Sequence, residues 1–323
     1  MSRQFDAMAS AKIYSGKPEQ TPLNLAMIKF PALCSIKYDG WRMFEYNMEV
    51  RCRSMKPPKN RPTQRKMKLL FEAMADHNFR GADGEAITGT LEDAIRTNSP
   101  QCGKMFNSYD VNDEFQFLIF DSYQYPRLPF WERLARVEAI VQQLKPEFSW
   151  IHHVEHVVVN NMEELMALLD KVEAQGGEGV MGRSFDGPYK MGRSTMKEGW
   201  LWALKPYADD EGKIISFAEE LENQNEQETD ERGYSKRSGH KENLVPKGRL
   251  GKFICVSPNF AETFSVGAGI GLTHELRQEV WDNQEKYLGK FIKFKYQAVG
   301  TMDRPRQPKF MGFRAEEDMS NGR

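Results

Sequence analysis

The order of strand-like and helix-like segments changes at Pro206, and this change constrains the fold more than any other feature of the sequence. Before Pro206, short apolar runs alternate with two amphipathic segments, 131–144 and 161–174, whose spacing predicts helices. After it, short strand-like runs predominate around one predicted helix, 274–287, with Thr273 as its N-cap. The predicted strands cover 115–120, 154–159, 200–205, 213–217, 252–256 and 290–296. The pattern predicts an α+β fold with two domains, 1–206 and 207–323, the second of the size of a small β-barrel.

Charge is distributed in blocks along the chain, although the formal net charge is only −1. Residues 51–68 carry eight bases and no acid, and residues 232–252 are again rich in lysine and arginine. Residues 219–231 hold seven acids and no base, and we expect them to form a solvated loop. A polyanion responds to local patches rather than to the total, so the near-zero balance does not exclude nucleic acid.

The four cysteines, at 34, 52, 102 and 255, lack a CxxC pair. This spacing excludes a zinc ribbon and makes an extracellular disulfide framework unexpected. No apolar run approaches the ~20 residues that span a bilayer, and the first thirty residues lack a secretion signal. These features predict a cytoplasmic protein that does not enter a membrane.

The segment 37–42 (KYDGWR) has the residues of a reactive-lysine site. An amine attacks an electrophile only when neutral, and the ordinary pKa of lysine is ~10.4. We expect burial and the nearby Arg42 to lower the pKa of Lys37, so that it serves as a nucleophile. Gly40 is expected to let the backbone turn beside a bulky substrate. The same residues also fit a surface lysine at a turn, because Asp-Gly is a common turn pair.

Residues 37–42 resemble the KxDGxR motif of the covalent nucleotidyltransferases, which comprise ATP-dependent DNA ligases, RNA ligases and mRNA-capping enzymes. Other segments resemble further motifs of this family in the same order along the chain: Arg53 in RCRSMK, Asp83-Gly84-Glu85, Phe120-Asp121, Glu178 in GGEGVMGR and Leu204-Lys205-Pro206. The segments GRLGKF, KFIKFKYQ and RPRQPKFMGFR resemble the OB domain of small ATP-dependent DNA ligases of bacteriophages. The resemblance spans about residues 30–315.

The resemblance implies a fold and a reaction. The fold is a nucleotidyltransferase (adenylation) domain with antiparallel sheets and helices, followed by an OB-fold β-barrel. The reaction is nick sealing in duplex DNA, as in DNA replication, repair and recombination. Lys37 takes AMP from ATP, the AMP passes to the 5′-phosphate of a nick, and the 3′-hydroxyl then attacks that phosphate.

The resemblance also assigns residues to the site. The nucleotide-binding residues are Ser35, Ile36, Lys37, Arg42, Glu85 on the ribose, Phe120 on the adenine, and Lys205 on the α-phosphate. The DNA-binding residues are Arg53, Lys56, Arg306 and Arg314. The metal ligands are Glu178 and Asp39, for Mg²⁺ or Mn²⁺. The implied partners are ATP and nicked double-stranded DNA, for a monomer in the cytoplasm of a cell or of an infected bacterial host.

Two positions depart from the family pattern. Ala203 stands where relatives have the first lysine of a KxK motif, leaving Lys205 alone; Arg183, Lys190 or Arg193 are candidates to compensate. Ser35 stands where relatives often carry an acidic or amide side chain for adenine. Two alternatives therefore stay open beside the DNA ligase: an RNA ligase of the same superfamily, and a non-catalytic DNA-binding relative.

Overall fold

The computed structural model describes residues 5–15, 25–91, 95, 99–110, 114–269, 271–298 and 301–314. The chain divides into two compact units: unit 1 is Met1–Pro206 with Glu231–Gly233, and unit 2 is Tyr207–Asp230 with Tyr234–Arg323. Within the described residues, no helix is long and apolar enough to cross a membrane.

Unit 1 contains two five-stranded sheets with helices against them. Its strands are β1 (Ala11–Ser15), β2 (Ala32–Ile36), β3 (Trp41–Tyr46), β4 (Glu49–Cys52), β5 (Ala82–Thr88), β6 (Phe115–Ser122), β7 (Ile151–His153), β8 (Val157–Val159), β9 (Val180–Ser184) and β10 (Leu201–Pro206). Its helices are α1 (Arg61–Asp76), α2 (Ser99–Phe106), α3 (Phe130–Leu144) and α4 (Met162–Ala174). The strand orders are β1-β10-β9-β2-β8 and β4-β3-β5-β6-β7. Apart from the parallel pairs β1–β10 and β6–β7, the pairing is antiparallel.

Alternation along the strands gives each sheet one apolar and one polar face. In the first sheet, Cys34, Val180 and Trp202 join Leu165 of α4 in one core. In the second sheet, the core holds Phe117 of β6 with side chains of α1, α2 and α3. The opposite faces meet each other, because Arg183 of β9 bonds to Asp121 of β6. The titratable side chains of both sheets therefore converge on the space between them.

Unit 2 is a five-stranded antiparallel sheet with two short helices. Its elements are β11 (Ala208–Asn223), β14 (Leu244–Val256), β15 (Phe264–Val266), α5 (His274–Asp282), α6 (Gln284–Tyr287), β16 (Phe291–Gln297) and β17 (Arg306–Phe313). The strand order is β15-β14-β11-β16-β17, and the two edge strands approach each other at a bridge from Gly267 to Lys309. The expected barrel is therefore only partly closed. Its core is aromatic, with Phe253, Phe294 and Phe310 fully buried.

The acidic run 219–231 is not a loop, so that prediction is wrong. Strand β11 continues through Asn223, and a small hairpin follows from β12 (Gln227–Thr229) and β13 (Ser235–Arg237). The predicted helix 274–287 is likewise interrupted at Asn283, although Thr273 does cap it by accepting a hydrogen bond from Leu276 N at 3.2 Å. The predicted helices 131–144 and 161–174 are confirmed within a residue of each end.

Candidate active site

The segment 37–40 carries the chain from β2 in one sheet to β3 in the other. Gly40 lies against the backbone of β5: a methyl group there would stand 2.4 Å from Ala86 O and 2.8 Å from Ile87 Cγ2. Only glycine permits that approach. The structure thus differs from the expected turn beside a substrate. Gly40 instead allows the chain to pack closely against β5, the strand that carries Glu85.

Three neighbouring strands bring Lys37, Glu178 and Lys205 together. Lys37 follows β2, Glu178 precedes β9, and Lys205 lies on β10, which pairs with β9. The backbone fixes this arrangement, because Lys37 N donates to Gly179 O at 2.8 Å. The Nζ of Lys37 donates to Oε2 of Glu178, and the Nζ of Lys205 donates to Oε1. One carboxylate thus holds both lysines.

The electrostatics of Lys37 differ from the expectation. Burial disfavours the ammonium, but Glu178, Glu85 and Asp39 outweigh it, so the pKa of Lys37 is raised. Burial acts against ionised Glu178 as well, yet the two lysines hold the pKa of its carboxyl below the ordinary value. The predicted lowering of the lysine pKa by Arg42 is therefore wrong for this state, in which Lys37 is a paired ammonium.

Glu85 faces Arg42 across the β3–β5 ladder. Burial raises the pKa of Glu85 to about 8, despite the opposing attraction of Lys37 and Arg42. A carboxyl with that pKa is largely protonated near neutrality, and can donate a hydrogen bond as well as accept one. Asp39, from the connecting segment, is also buried.

Arg42 is held from two sides. Its Nε donates to Asp83 Oδ1 at 2.9 Å and its Nη2 to Oδ2, while Nη1 donates to Met8 O at 2.5 Å. Asp83 is fully buried, and it raises the pKa of Arg42 although burial opposes this. The guanidinium carbon of Arg42 lies 5.5 Å from the centre of the Phe120 ring, and that of Arg183 lies 5.7 Å from it. The predicted adenine-stacking ring thus stands beside two cations.

A second buried ion cluster lies behind Phe120. Asp121 accepts from Arg133 Nε at 2.8 Å and Nη2 at 3.2 Å, and from Arg183 Nη1 at 2.6 Å. All three side chains are almost fully buried. The sequence did not predict a role for Arg133 or for Tyr189. The hydroxyl of Tyr189 donates to Asp83 Oδ2 at 2.7 Å. Neither stands in one of the motifs quoted above, and the Asp83 partner of Tyr189 lies 106 positions away in the chain.

The remaining predicted nucleotide residues occupy different faces. Ser35 pairs in register with Met181 and shares the polar face of its sheet with Lys37. The side chain of Ile36 packs on the apolar core beneath that sheet, so only its backbone is available to a ligand. Ala203 lies on the same face as Lys205, where it is buried against Met181 in register.

The three candidates to compensate for Ala203 differ in their surroundings. Arg183 is committed to Asp121. The Nζ of Lys190 donates to Glu198 at 2.8 and 2.9 Å. Arg193 is exposed, and its Nη1 donates to Ser10 O at 2.7 Å. Arg193 therefore remains the most accessible of the three.

The predicted DNA-binding residues fall on both units. Arg53 and Lys56 lie in the turn after β4, where Cys52 N donates to Lys56 O at 2.8 Å. Both residues are exposed, but the Arg53 guanidinium is partly removed from water. This desolvation, followed by repulsion from Arg193 and Arg42, lowers the pKa of Arg53. In unit 2, Arg306 begins β17, and the Nε of Arg314 donates to Glu211.

The site offers oxygen ligands rather than a preformed metal cage. Within the described part of the chain, no group of three or more His, Cys, Asp or Glu side chains is placed to hold a metal ion. Glu178 and Asp39 both act electrostatically on Lys37, so both lie near it. This donor set fits Mg²⁺, which commonly takes one or two carboxylates and completes its shell with phosphates and water.

Two family models match the chain. One, described as ATP dependent DNA ligase domain, matches residues 19–203, and one described as DNA ligase OB-like domain matches residues 244–314. The DNA ligase of African swine fever virus (strain Badajoz 1971 Vero-adapted) is 29% identical over 115 residues, 35% of this chain and 27% of that protein. The DNA ligase of Acidianus ambivalens is 29% identical over 90 residues, 27% of this chain and 14% of that protein. The match thus spans about a quarter or less of the length of these relatives.

Solved structures share the fold over nearly the whole chain. Pmar-Lig_PreS3 superposes with a TM-score of 0.68 at 18% identity, covering 94% of this chain and 67% of that one. A structure described as a structure-function analysis of Lig E DNA ligases, on DNA binding with a minimal scaffold, gives 0.63 at 19% identity, covering 95% and 99%. At these identities the likeness establishes the architecture.

Proposed function

The chain belongs to the ATP-dependent DNA ligase family, and from that premise we propose that it seals nicks in duplex DNA through an AMP-lysine intermediate at Lys37. The observation that carries the proposal is the joint placement of Lys37 and Lys205 on Glu178, inside the matched region 19–203. Residues 1–206 then form the nucleotidyltransferase domain, and 207–323 the OB-like domain.

In the first step the Nζ of Lys37 attacks the α-phosphorus of ATP. The ammonium first loses one proton to water, which frees the nitrogen lone pair for attack. A P–N bond then forms, the bond from the α-phosphorus to the pyrophosphate oxygen breaks, pyrophosphate leaves, and the nitrogen releases its second proton to water. Because Glu178 favours the ammonium form of Lys37, the contact between these two side chains must weaken before the neutral amine can attack. Lys205 lies beside the same carboxylate and is placed to neutralise charge on the α-phosphate.

In this proposal the nucleoside half of ATP lies between the two sheets of unit 1. Phe120 offers a ring face for adenine, flanked by the guanidinium groups of Arg42 and Arg183. Glu85, with a pKa of about 8, is suited to exchange hydrogen bonds with ribose hydroxyls as donor or acceptor. Ser35 and the backbone of Ile36 complete the nucleotide site in this proposal.

A bound Mg²⁺ or Mn²⁺ would supply charge neutralisation at the phosphates. Glu178 and Asp39 are the residues that would hold it. Glu178 would then be shared between the metal ion and the two lysines. This role requires an ionised carboxylate, and the two lysines keep Glu178 ionised by lowering its pKa. Any drop in the negative charge that Lys37 experiences favours its neutral, nucleophilic form.

In the second and third steps the protein holds DNA. AMP passes from Lys37 to the 5′-phosphate of the nick, and the adjacent 3′-hydroxyl then displaces it. We assign Arg53 and Lys56 of unit 1, and Arg306 and Arg314 of unit 2, to phosphate contacts, because sequence-independent sealing requires backbone recognition. The protein acts as a monomer in the cytoplasm, where ATP and DNA substrates are at hand.

The test is covalent labelling followed by sealing. With ATP labelled at the α-phosphate and Mg²⁺, we expect a protein–AMP adduct in wild type and in Lys29→Ala, a variant of an exposed lysine outside the site. Lys37→Ala should carry no label. The wild type should then lengthen the labelled strand of a nicked duplex on a denaturing gel.

The other outcomes separate the alternatives. An adduct with sealing of nicked RNA but not of nicked DNA would identify an RNA ligase. Failure of wild type to form any adduct, together with retained DNA binding, would identify a non-catalytic relative whose site is weakened by Ala203. Either result would overturn the proposal.

A further inference from the structure

Arg42 is part of a closed ring of contacts that extends beyond the family motifs. The hydroxyl of Tyr189 donates to Asp83 Oδ2 at 2.7 Å and accepts from Met8 N at 3.2 Å. Asp83 binds Arg42 through both carboxylate oxygens, and Arg42 Nη1 donates to Met8 O. One phenol thus links the carboxylate and the peptide segment that hold Arg42 on its two sides.

Tyr189 is itself firmly placed. Its side chain is 4% exposed, and its ring centre lies 5.9 Å from that of Tyr123 and 5.9 Å from the Arg133 guanidinium carbon. Its backbone N donates to Pro126 O at 2.8 Å. Burial and the nearby Asp83 raise its pKa far above the ordinary value, so the hydroxyl stays a donor.

The orientation of Arg42 depends on these partners. Three of its five N–H donors point to Asp83 and Met8, which fixes the plane of the guanidinium. That plane stands beside Phe120, and Arg42 is opposite Glu85 in register. Without the Tyr189 hydroxyl, Asp83 would lose a donor and the N–H of Met8 would lose its acceptor, so the carboxylate and the peptide could move independently.

We propose that Tyr189 is a positioning residue of the nucleotide site, which acts through Asp83 and the Met8 peptide to orient Arg42 for AMP transfer. The proposal rests on the proposed function, since it concerns the same reaction. It assigns to Tyr189, and to the N-terminal segment that it anchors, a part in catalysis rather than in folding alone.

The first test compares two tyrosine-to-phenylalanine variants. Tyr189→Phe keeps the ring and removes only the hydroxyl. Tyr123→Phe is the matched control, because its ring is in the same aromatic cluster and its hydroxyl donates to a backbone carbonyl, Glu45 O, rather than to Asp83. At saturating ATP, we expect the rate of AMP attachment to fall about tenfold or more in Tyr189→Phe. A fall of this size corresponds to the usual free-energy contribution of a hydrogen bond to a charged group. Tyr123→Phe should stay within about twofold of wild type.

The second test asks whether the effect passes through Arg42 and does not require activity. The Nε–H resonance of Arg42, assigned by its loss in Arg42→Lys, should shift or broaden in Tyr189→Phe and stay in place in Tyr123→Phe. An unchanged resonance, or equal rates for the two phenylalanine variants, would overturn the positioning role. Absence of an adduct in wild type would instead refute the proposed function, so the two failures are distinct.

Discussion

Replacing Asp121 by asparagine tests whether the buried ion cluster stabilises unit 1. Asp121 is 0% exposed and forms a buried cluster with Arg133 and Arg183. Among these three side chains, Asp121 carries the only formal negative charge. Asparagine keeps the shape but directs an NH₂ group at a guanidinium. Removing one partner of a buried ion pair leaves an uncompensated charge, and typically costs about 3–5 kcal/mol. For a unit of about 200 residues that corresponds to a fall of the order of 10 °C in Tm.

Urea unfolding followed by tryptophan fluorescence measures this change. The signal is dominated by unit 1, which holds Trp41, Trp131, Trp150, Trp200 and Trp202 against Trp281 in unit 2. Glu49→Gln is the control, because Glu49 pairs with Arg51 while 60% exposed, and such a pair contributes about 0–1 kcal/mol. If the free energies of unfolding of the two variants differ by less than about 1 kcal/mol, the cluster does not stabilise the unit and the reasoning fails.

Three further outcomes are expected. Gly40→Ala should reduce the rate of AMP attachment more than tenfold, because the added methyl group would overlap Ala86 O. The control Gly103→Ala should leave that rate unchanged, because its methyl group would have no neighbouring atom within 4 Å. Glu85→Gln should stabilise the protein increasingly as pH rises from 5 to 8. With a folded pKa of about 8 against an ordinary 4.5, wild type loses up to about 1.4 kcal/mol of stability per pH unit in that window, and the loss levels off above pH 8. A constant difference between the urea midpoints of the two proteins at every pH would contradict this. Arg53→Ala should weaken binding to nicked DNA and reduce the magnitude of the slope of log binding constant against log salt concentration by about 1. An unchanged slope would show that Arg53 does not contact a DNA phosphate.

Local patterns in the sequence identified the local elements. Residues 131–144 and 161–174 have apolar spacing that a helix buries on one side, and both are helices. Helix α1 could have been found by the same argument, since Met67, Leu70 and Met74 follow helical spacing behind the cap Asn60. Its basic residues also fit a surface that binds nucleic acid, and that charge pattern does not distinguish a helix from a loop. Of strand β11 the sequence predicted only 213–217. The second half of the strand is partly or fully exposed on both faces and shows no alternation, so no pattern marked it.

The sequence predicted that certain residues would share one site, but it did not predict their electrostatic state. Family motifs identified Lys37, Glu178 and Lys205, and the structure brings these three together. The raised pKa of Lys37 depends on a carboxylate 141 positions away, which no local window contains. Tyr189 was missed for the same reason, since its bond to Asp83 spans 106 positions. Such contacts are set by which strands become neighbours, and spacing along the chain does not encode that directly.

The order in which the strands of unit 1 are joined has a consequence for synthesis. Strand β1 pairs in parallel with β10, so Ala11 cannot form its strand pairing until Trp202 has been synthesised. In the same way, Lys37 can bind Glu178 only after Glu178 has been synthesised. Contacts so distant in the chain close late, because their loop entropy is lost before they contribute stability. A ribosome-bound chain that ends before β10 therefore has unpaired strand edges and no assembled lysine pair. The capacity to take up AMP would then appear only once unit 1 is complete, which makes covalent labelling a reporter of finished folding as well as of chemistry.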